Sequence, residues 1–236
     1  MKNPPISRML SGSGKMVGLP PMSQFLSVVK LVKEALDPFA RSVCKEGVSN
    51  ENGLNQQLSI FISNTSRLQN LPFIANSETM EDVTKGDSPA PDIGIFLETK
   101  DMANKPKKIT VFEGKRLSKS IGKLRKREYV IGHDEKKGKH VSCGGIERFK
   151  RSIHGKDLKC AGMIGYIQDG TPDHWLNQIN NWITELTHHS HTPAWKEEEK
   201  LSQVTVAGKV LEYSSVVSRQ ADKLHLTHLW IDLQLK

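Results

Sequence analysis

The eight residues Ala161 to Gln168, AGMIGYIQ, form an apolar run of strand length. Such a run, bounded by polar segments, reads as a buried β-strand. Helical spacing surrounds it. Ile146, Phe149 and Ile153 fall on one face of a short helix over 145–154, with Gly155 just beyond its end. After the strand, Leu176, Ile179, Ile183 and Leu186 recur at helical intervals. A buried strand between amphipathic helices points to an α/β protein, a mixed sheet with helices on its faces.

The rest of the chain supplies both kinds of element. From Ser23 onward Phe25, Val28, Val29, Val32, Leu36, Phe39 and Val43 recur every three or four residues. Gly47 suits the end of that helix, and Ser49 or Asn50 suits the N-cap of the next. The second helix covers 51–62, with Leu54, Leu58, Phe61 and Ile62 as its stripe. Residues 63–90 are polar apart from LPFI at 71–74. Ile93, Ile95 and Leu97 then alternate, and Ile109 to Phe112 is rich in β-formers. The stretch 98–108 between them has the composition of a surface hairpin loop, and 116–142 reads as a basic loop. Strands are expected around 203–207, 209–218 and 224–235. The resulting organisation is a flexible leader over 1–22, a main domain over 23–187 and a β-rich C-terminal extension over 188–236 packed on that domain.

Composition limits the function classes. Four Trp and seven Phe among 236 residues argue against a wholly disordered chain. No apolar run approaches the roughly 18 residues of a membrane helix, and the opening segment has no continuous apolar core of a secretory signal. The three cysteines, Cys44, Cys143 and Cys160, are too few and too far apart for a disulfide framework or zinc knuckle. A cytoplasmic location without membrane contact is the expectation. Lys and Arg number 34 against 26 Asp and Glu, a net +8. That excess attracts nucleic acid, anionic membrane or acidic protein alike.

Three acidic positions stand out. Glu51 lies on the helical face of Leu54 and Leu58, so its carboxylate points toward the interior or its rim, although a first-turn acid also suits the helix dipole. Asp92 follows Pro91 at the start of a strand, a place equally natural for a turn residue. Glu113 and Lys115 end the apolar strand Ile-Thr-Val-Phe-Glu-Gly-Lys. Positions i and i+2 of a strand share a face, so both heads reach one place. Val111 shares that face and Phe112 takes the other. A surface charge pair gives the same letters. Together, however, the three carboxylates and a lysine suit Mg²⁺ or Mn²⁺ bound to a phosphate substrate.

Pro91-Asp92, twenty intervening residues and Glu113-Gly114-Lys115 resemble the signature of the PD-(D/E)xK nuclease superfamily. The resemblance implies a restriction-endonuclease-like core of helix, three strands, helix and strand over 51–168. It also implies a metal-dependent endonuclease acting on DNA, with Asp92 and Glu113 binding metal, Glu51 supporting it and Lys115 handling the attacking water. A role in restriction or antiphage defence, as a homo-oligomer or a subunit of a larger complex, belongs to the same expectation. RNA as substrate and a catalytically silent nucleic-acid-binding or assembly subunit are the alternatives. No Gln-x-x-x-Tyr element of the RecB-like members is present, and Gln168 closes its strand where some relatives place a polar residue.

Ten Lys and Arg lie between 115 and 139. Lys119, Lys123, Arg125, Lys126 and Arg127 are candidates for salt-sensitive phosphate contacts, joined by Arg148, Lys150 and Arg151 from the short helix. A solvated basic loop would look the same. His188, His189 and His191 lack structural zinc spacing. His225 and His228, three apart on a strand, face opposite sides. Cys143 has no assignable histidine and asparagine companions. Gly12-Ser13-Gly14-Lys15 lacks the preceding strand of a phosphate loop.

Overall fold

The computed structural model describes residues 21–99, 105–122, 125–134, 140–188, 192–207 and 209–234. Of the leader expected over 1–22, residues 1–20 lie outside them, while Pro21 and Met22 already belong to the first helix.

Helix α1 (Pro21–Glu46) buries Phe25, Val28, Val32, Leu36, Phe39 and Val43 on one side. Gly47 follows at φ 71°, a left-handed turn for which glycine carries no side-chain penalty. Helix α2 (Glu51–Leu68) starts at Asn50, whose side chain accepts the Gly53 N–H at 2.8 Å. It runs six residues past the expected end at 62. The extra turns are polar because they serve a sheet edge. Ser63 Oγ takes the Ala75 N–H at 3.0 Å, and Ser66 Oγ takes that of Phe73 at 3.2 Å. Both donors lie in β1 (Phe73–Ser77), a strand foreshadowed in sequence only by LPFI.

Next come β2 (Ile93–Leu97) and β3 (Lys107–Leu117), antiparallel neighbours. β3 runs five residues beyond the apolar segment 109–112, and its polar end is buried. The 116–142 segment is therefore not simply a basic loop. Tyr129, Val130 and Ile131 pack into the core, and β4 (His133–Asp134) pairs with β5 (His140–Val141). Helix α3 (Gly145–Lys150) is shorter than expected. A Schellman closure stops it: Ile153 N–H donates to Arg148 O and Ser152 N–H to Phe149 O, with Ser152 at φ 54°. β6 (Cys160–Ile167) is buried along its whole length, and α4 (Pro172–Thr187) is capped by Thr171.

β7 (Ser202–Ala207), β8 (Val210–Ser218) and β9 (Lys223–Asp232) complete one seven-stranded sheet, ordered β1-β2-β3-β6-β9-β8-β7. β3, β6 and β9 are parallel, and the other pairs antiparallel. The protein is thus α/β with a mixed sheet between helices. One face carries α1 and α2 with Ile93, Ile95, Phe112 and Tyr166. The other carries Val111, Met163 and Trp230 with α3 and α4. Among the described residues no helix is long and apolar enough to cross a membrane.

Candidate active site

Three elements bring Glu51, Asp92, Glu113 and Lys115 together. The Asn50 cap fixes Glu51 in the first turn of α2. Asp92 precedes β2, and its backbone oxygen receives the Glu78 N–H at 2.9 Å. Glu113 and Lys115 stand on β3 on either side of Gly114, whose N–H donates to Asp92 Oδ2 at 2.8 Å. Lys115 Nζ then lies 2.9 Å from Glu51 Oε1, 3.2 Å from Glu113 Oε1 and 3.8 Å from Asp92 Oδ2. Glu113 is 0% and Lys115 4% exposed. A charge pair on the surface is ruled out.

Two further side chains reach Glu113. Arg148 Nη1 donates to Oε1 at 2.6 Å. His154 Nδ1 stands 3.0 Å from Oε2 but out of hydrogen-bonding alignment, so both atoms lack a hydrogen-bond partner. The turn that closes α3 is what carries His154 back to this place. On the α2 side, Tyr166 donates its hydroxyl to Asn55 Oδ1 at 2.8 Å. Asn55 sits one turn after Glu51, and its buried Nδ2 has no partner. The site has room for this amide because residue 114 is glycine: a Cβ there would lie 1.9 Å from Asn55 Oδ1.

The charges shift one another. Burial, then the charge of Glu113, pushes Asp92 up to about 7, against the pull of Lys115 and the Gly114 N–H. Burial would raise Glu113 too, but Lys115, His154 and Arg148 outweigh it and hold Glu113 at about 2. Burial would lower Lys115, yet Glu113, Asp92 and Glu51 prevail and push it well above its usual range. Lys115 is a fixed cation here.

Hard carboxylate oxygens suit Mg²⁺ or Mn²⁺, and Glu113 Oε2, with the misaligned His154 Nδ1 beside it, is a buried acceptor without a formed hydrogen bond. In donor type Glu51, Asp92 and Glu113 fit such an ion. Lys115 Nζ occupies the point they share, and among the described residues no three His, Cys, Asp or Glu side chains converge as a metal cage.

The expected phosphate contacts divide. Lys119 and Lys126 are exposed. Arg125 is partly exposed, 2.6 Å from Glu128 and 3.5 Å from Glu51 Oε1. Arg127 pairs with Glu185 and Arg151 with Glu147, both still partly exposed. Arg148 turns inward to Glu113. Lys150 must be withdrawn from the set: its side chain is fully buried, paired with Glu199 and bonded to Ser218 O, so it cannot reach a phosphate. Lys123 lies outside the described residues, as do His189 and His191. Gln168 donates to Ser49 O at 2.6 Å and ties β6 to the start of α2. Cys143 does have a histidine nearby, His133 Nδ1 at 3.5 Å. Burial and the charge of Glu128 push its thiol up, the reverse of an activated nucleophile.

Asn55 and His154 are the two site residues that sequence reasoning missed. For Asn55 a signal existed, since it follows Glu51 by four positions and shares its face. For His154 there was none, because its approach depends on the turn after α3. Compared with known proteins, the chain matches no family model, no curated protein and no solved structure.

Proposed function

We propose that the protein is a divalent-metal-dependent nuclease hydrolysing DNA phosphodiester bonds at a PD-(D/E)xK-type site. The observation that carries this reading is the gathering of Glu51, Asp92 and Glu113, from three elements, around one buried lysine. With the separate β4-β5 pair set aside as an insertion between β3 and α3, the order α2-β1-β2-β3-α3-β6 follows the helix, three strands, helix and strand of the restriction-endonuclease-like core, which supports that finer fold assignment.

When bound, Mg²⁺ or Mn²⁺ would polarise the phosphodiester and ease the formation of hydroxide from water. Glu51, Asp92 and Glu113 are the residues that would hold it. Lys115 stays protonated among these acids, so it does not act as a base. It orients the attacking water or offsets charge developing on the phosphate oxygens. Arg148 anchors Glu113 and keeps it ionised. Lys119, Arg125, Lys126 and Arg127 would meet phosphates of the substrate backbone.

Purified protein is expected to nick supercoiled plasmid with Mg²⁺ or Mn²⁺ and to stop when EDTA is added. The Asp92→Ala, Glu113→Ala double variant should be inactive; persistent cleavage would overturn the site. Matched RNA substrates decide between the two backbones. Lys115 Nζ already occupies the point that the three acids share, which favours a second reading, a silent nucleic-acid-binding subunit. That reading requires salt-sensitive DNA retention without metal-dependent nicking.

A further inference from the structure

Seven large hydrophobic side chains are exposed among the described residues, and three of them, Ile60, Met80 and Val83, meet in one place. They line a groove of about 960 Å³ between α2, β1 and the segment after it. Its described lining carries three acids, Glu78, Glu81 and Asp82, against one cation, Lys108. On a chain of net charge +8 this is a local reversal of sign. Glu81 is taken by Lys108 at 2.9 Å, and Asp82 by Lys85 at 3.2 Å. Glu78 is exposed and forms no ion pair among the described residues. Its N–H donates to Asp92 O at 2.9 Å, which pins it between the groove and a cavity of about 210 Å³ that Asp92 also lines. No Lys or Arg lines that cavity among the described residues.

The occupant that matches this lining is a segment with positive charge set between apolar side chains, and the chain has one. Residues 1–20 contain Lys2, Arg8 and Lys15 and no Asp or Glu, and Ile6, Met9 and Leu10 stand close to Arg8. Their attachment point is near. Met22, in the first turn of α1, receives the Cys160 thiol at 3.8 Å at the start of β6. Cys160 O accepts from Thr110 Oγ1 at 3.2 Å, and Thr110 stands two positions along β3 from Lys108 of the groove. From Pro21 back to Arg8 an extended chain reaches up to about 40 Å, several strand spacings of roughly 5 Å each. A segment joined to its site by a short linker acts at about millimolar effective concentration, so a modest contact holds it.

We propose that the groove receives the N-terminal leader of the same chain. The Arg8 guanidinium pairs with the Glu78 carboxylate, a fork that suits two parallel hydrogen bonds. Ile6, Met9 and Leu10 cover Ile60, Met80 and Val83. The docking is independent of the nuclease reading.

Photo-crosslinking of the full chain tests it, with p-benzoylphenylalanine in place of Met9 and the crosslinked positions mapped by mass spectrometry. Crosslinks are expected within single molecules, on the α2 and 75–83 segments that line the groove. Glu78→Arg should cut their yield at least fivefold at an unchanged melting temperature. Arg8→Glu alone should do the same, and the two reversals together should restore most of the yield. Crosslinks placed mainly outside the groove, or a yield that neither reversal moves, overturn the proposal and leave the groove to a basic segment of another protein. Groove crosslinks found only in covalent dimers overturn the same-chain assignment in favour of a second copy's leader.

Discussion

Among the described residues Lys115 is the one positive charge within 4 Å of all three carboxylates, and it is nearly inaccessible to water. Removing one partner of a buried ion cluster leaves charge with neither water nor counter-ion, at a typical cost of about 3–5 kcal/mol. Lys115→Met should therefore lower the unfolding free energy by roughly that amount. Added Mn²⁺ should return part of the loss, because a cation that binds only the folded state stabilises it by mass action. Urea melts of the variant and wild type, with and without Mn²⁺, provide the check. A variant indifferent to Mn²⁺ would show that these acids do not form a cation site. The same residue marks the reach of sequence reading. Glu-x-Lys at a strand end could equally be a solvated pair, and burial alone separates the two cases. Lys150 shows the opposite outcome, because its partner Glu199 lies 49 positions away and no local pattern signals such pairing.

Elements were legible where periodicity was apolar and obscure where polar residues served the interior. α4 and β6 could be read from apolar periodicity alone. β1, the end of α2 and the buried end of β3 could not, since serines closing a sheet edge and ions facing one another resemble loop composition. Tyr129 to Ile131 were hidden by the basic residues around them. The C-terminal strands were legible as strands, but not their place: β9 pairs with β6 along eight positions, Cys160 to Ile167 against His225 to Asp232. Ending the chain after Thr187 would strip the neighbour from a wholly buried strand. Such a protein should show no cooperative thermal transition by circular dichroism, and a sharp melt would mean that β7–β9 are dispensable.

For the whole molecule, acid is the revealing perturbation. His228 is buried on the α3 and α4 face, with Nδ1 2.9 Å from the Tyr129 hydroxyl and Nε2 2.8 Å from Ser215 Oγ. Burial depresses its pKa from 6.5 to about 3. Below pH 6.5 the unfolded chain takes up a proton that the folded chain refuses, so stability falls as pH drops from 6.5 toward 3. The slope reaches about 1.4 kcal/mol per pH unit for one such group. His228→Gln should flatten this limb in urea melts between pH 7 and pH 5. An unchanged slope would assign the acid sensitivity to other groups.

The span of the site along the chain has a consequence for synthesis. Glu51 and His154 bracket it, and β6, the strand beside β3, is flanked on its other side by β9 near the C-terminus. A ribosome that has released only the first half of the protein has made acids without the lysine's surroundings and a sheet without its middle. Partly made chains thus carry no assembled centre. On the nuclease reading proposed above, a cell would meet the activity only in chains that already include β9.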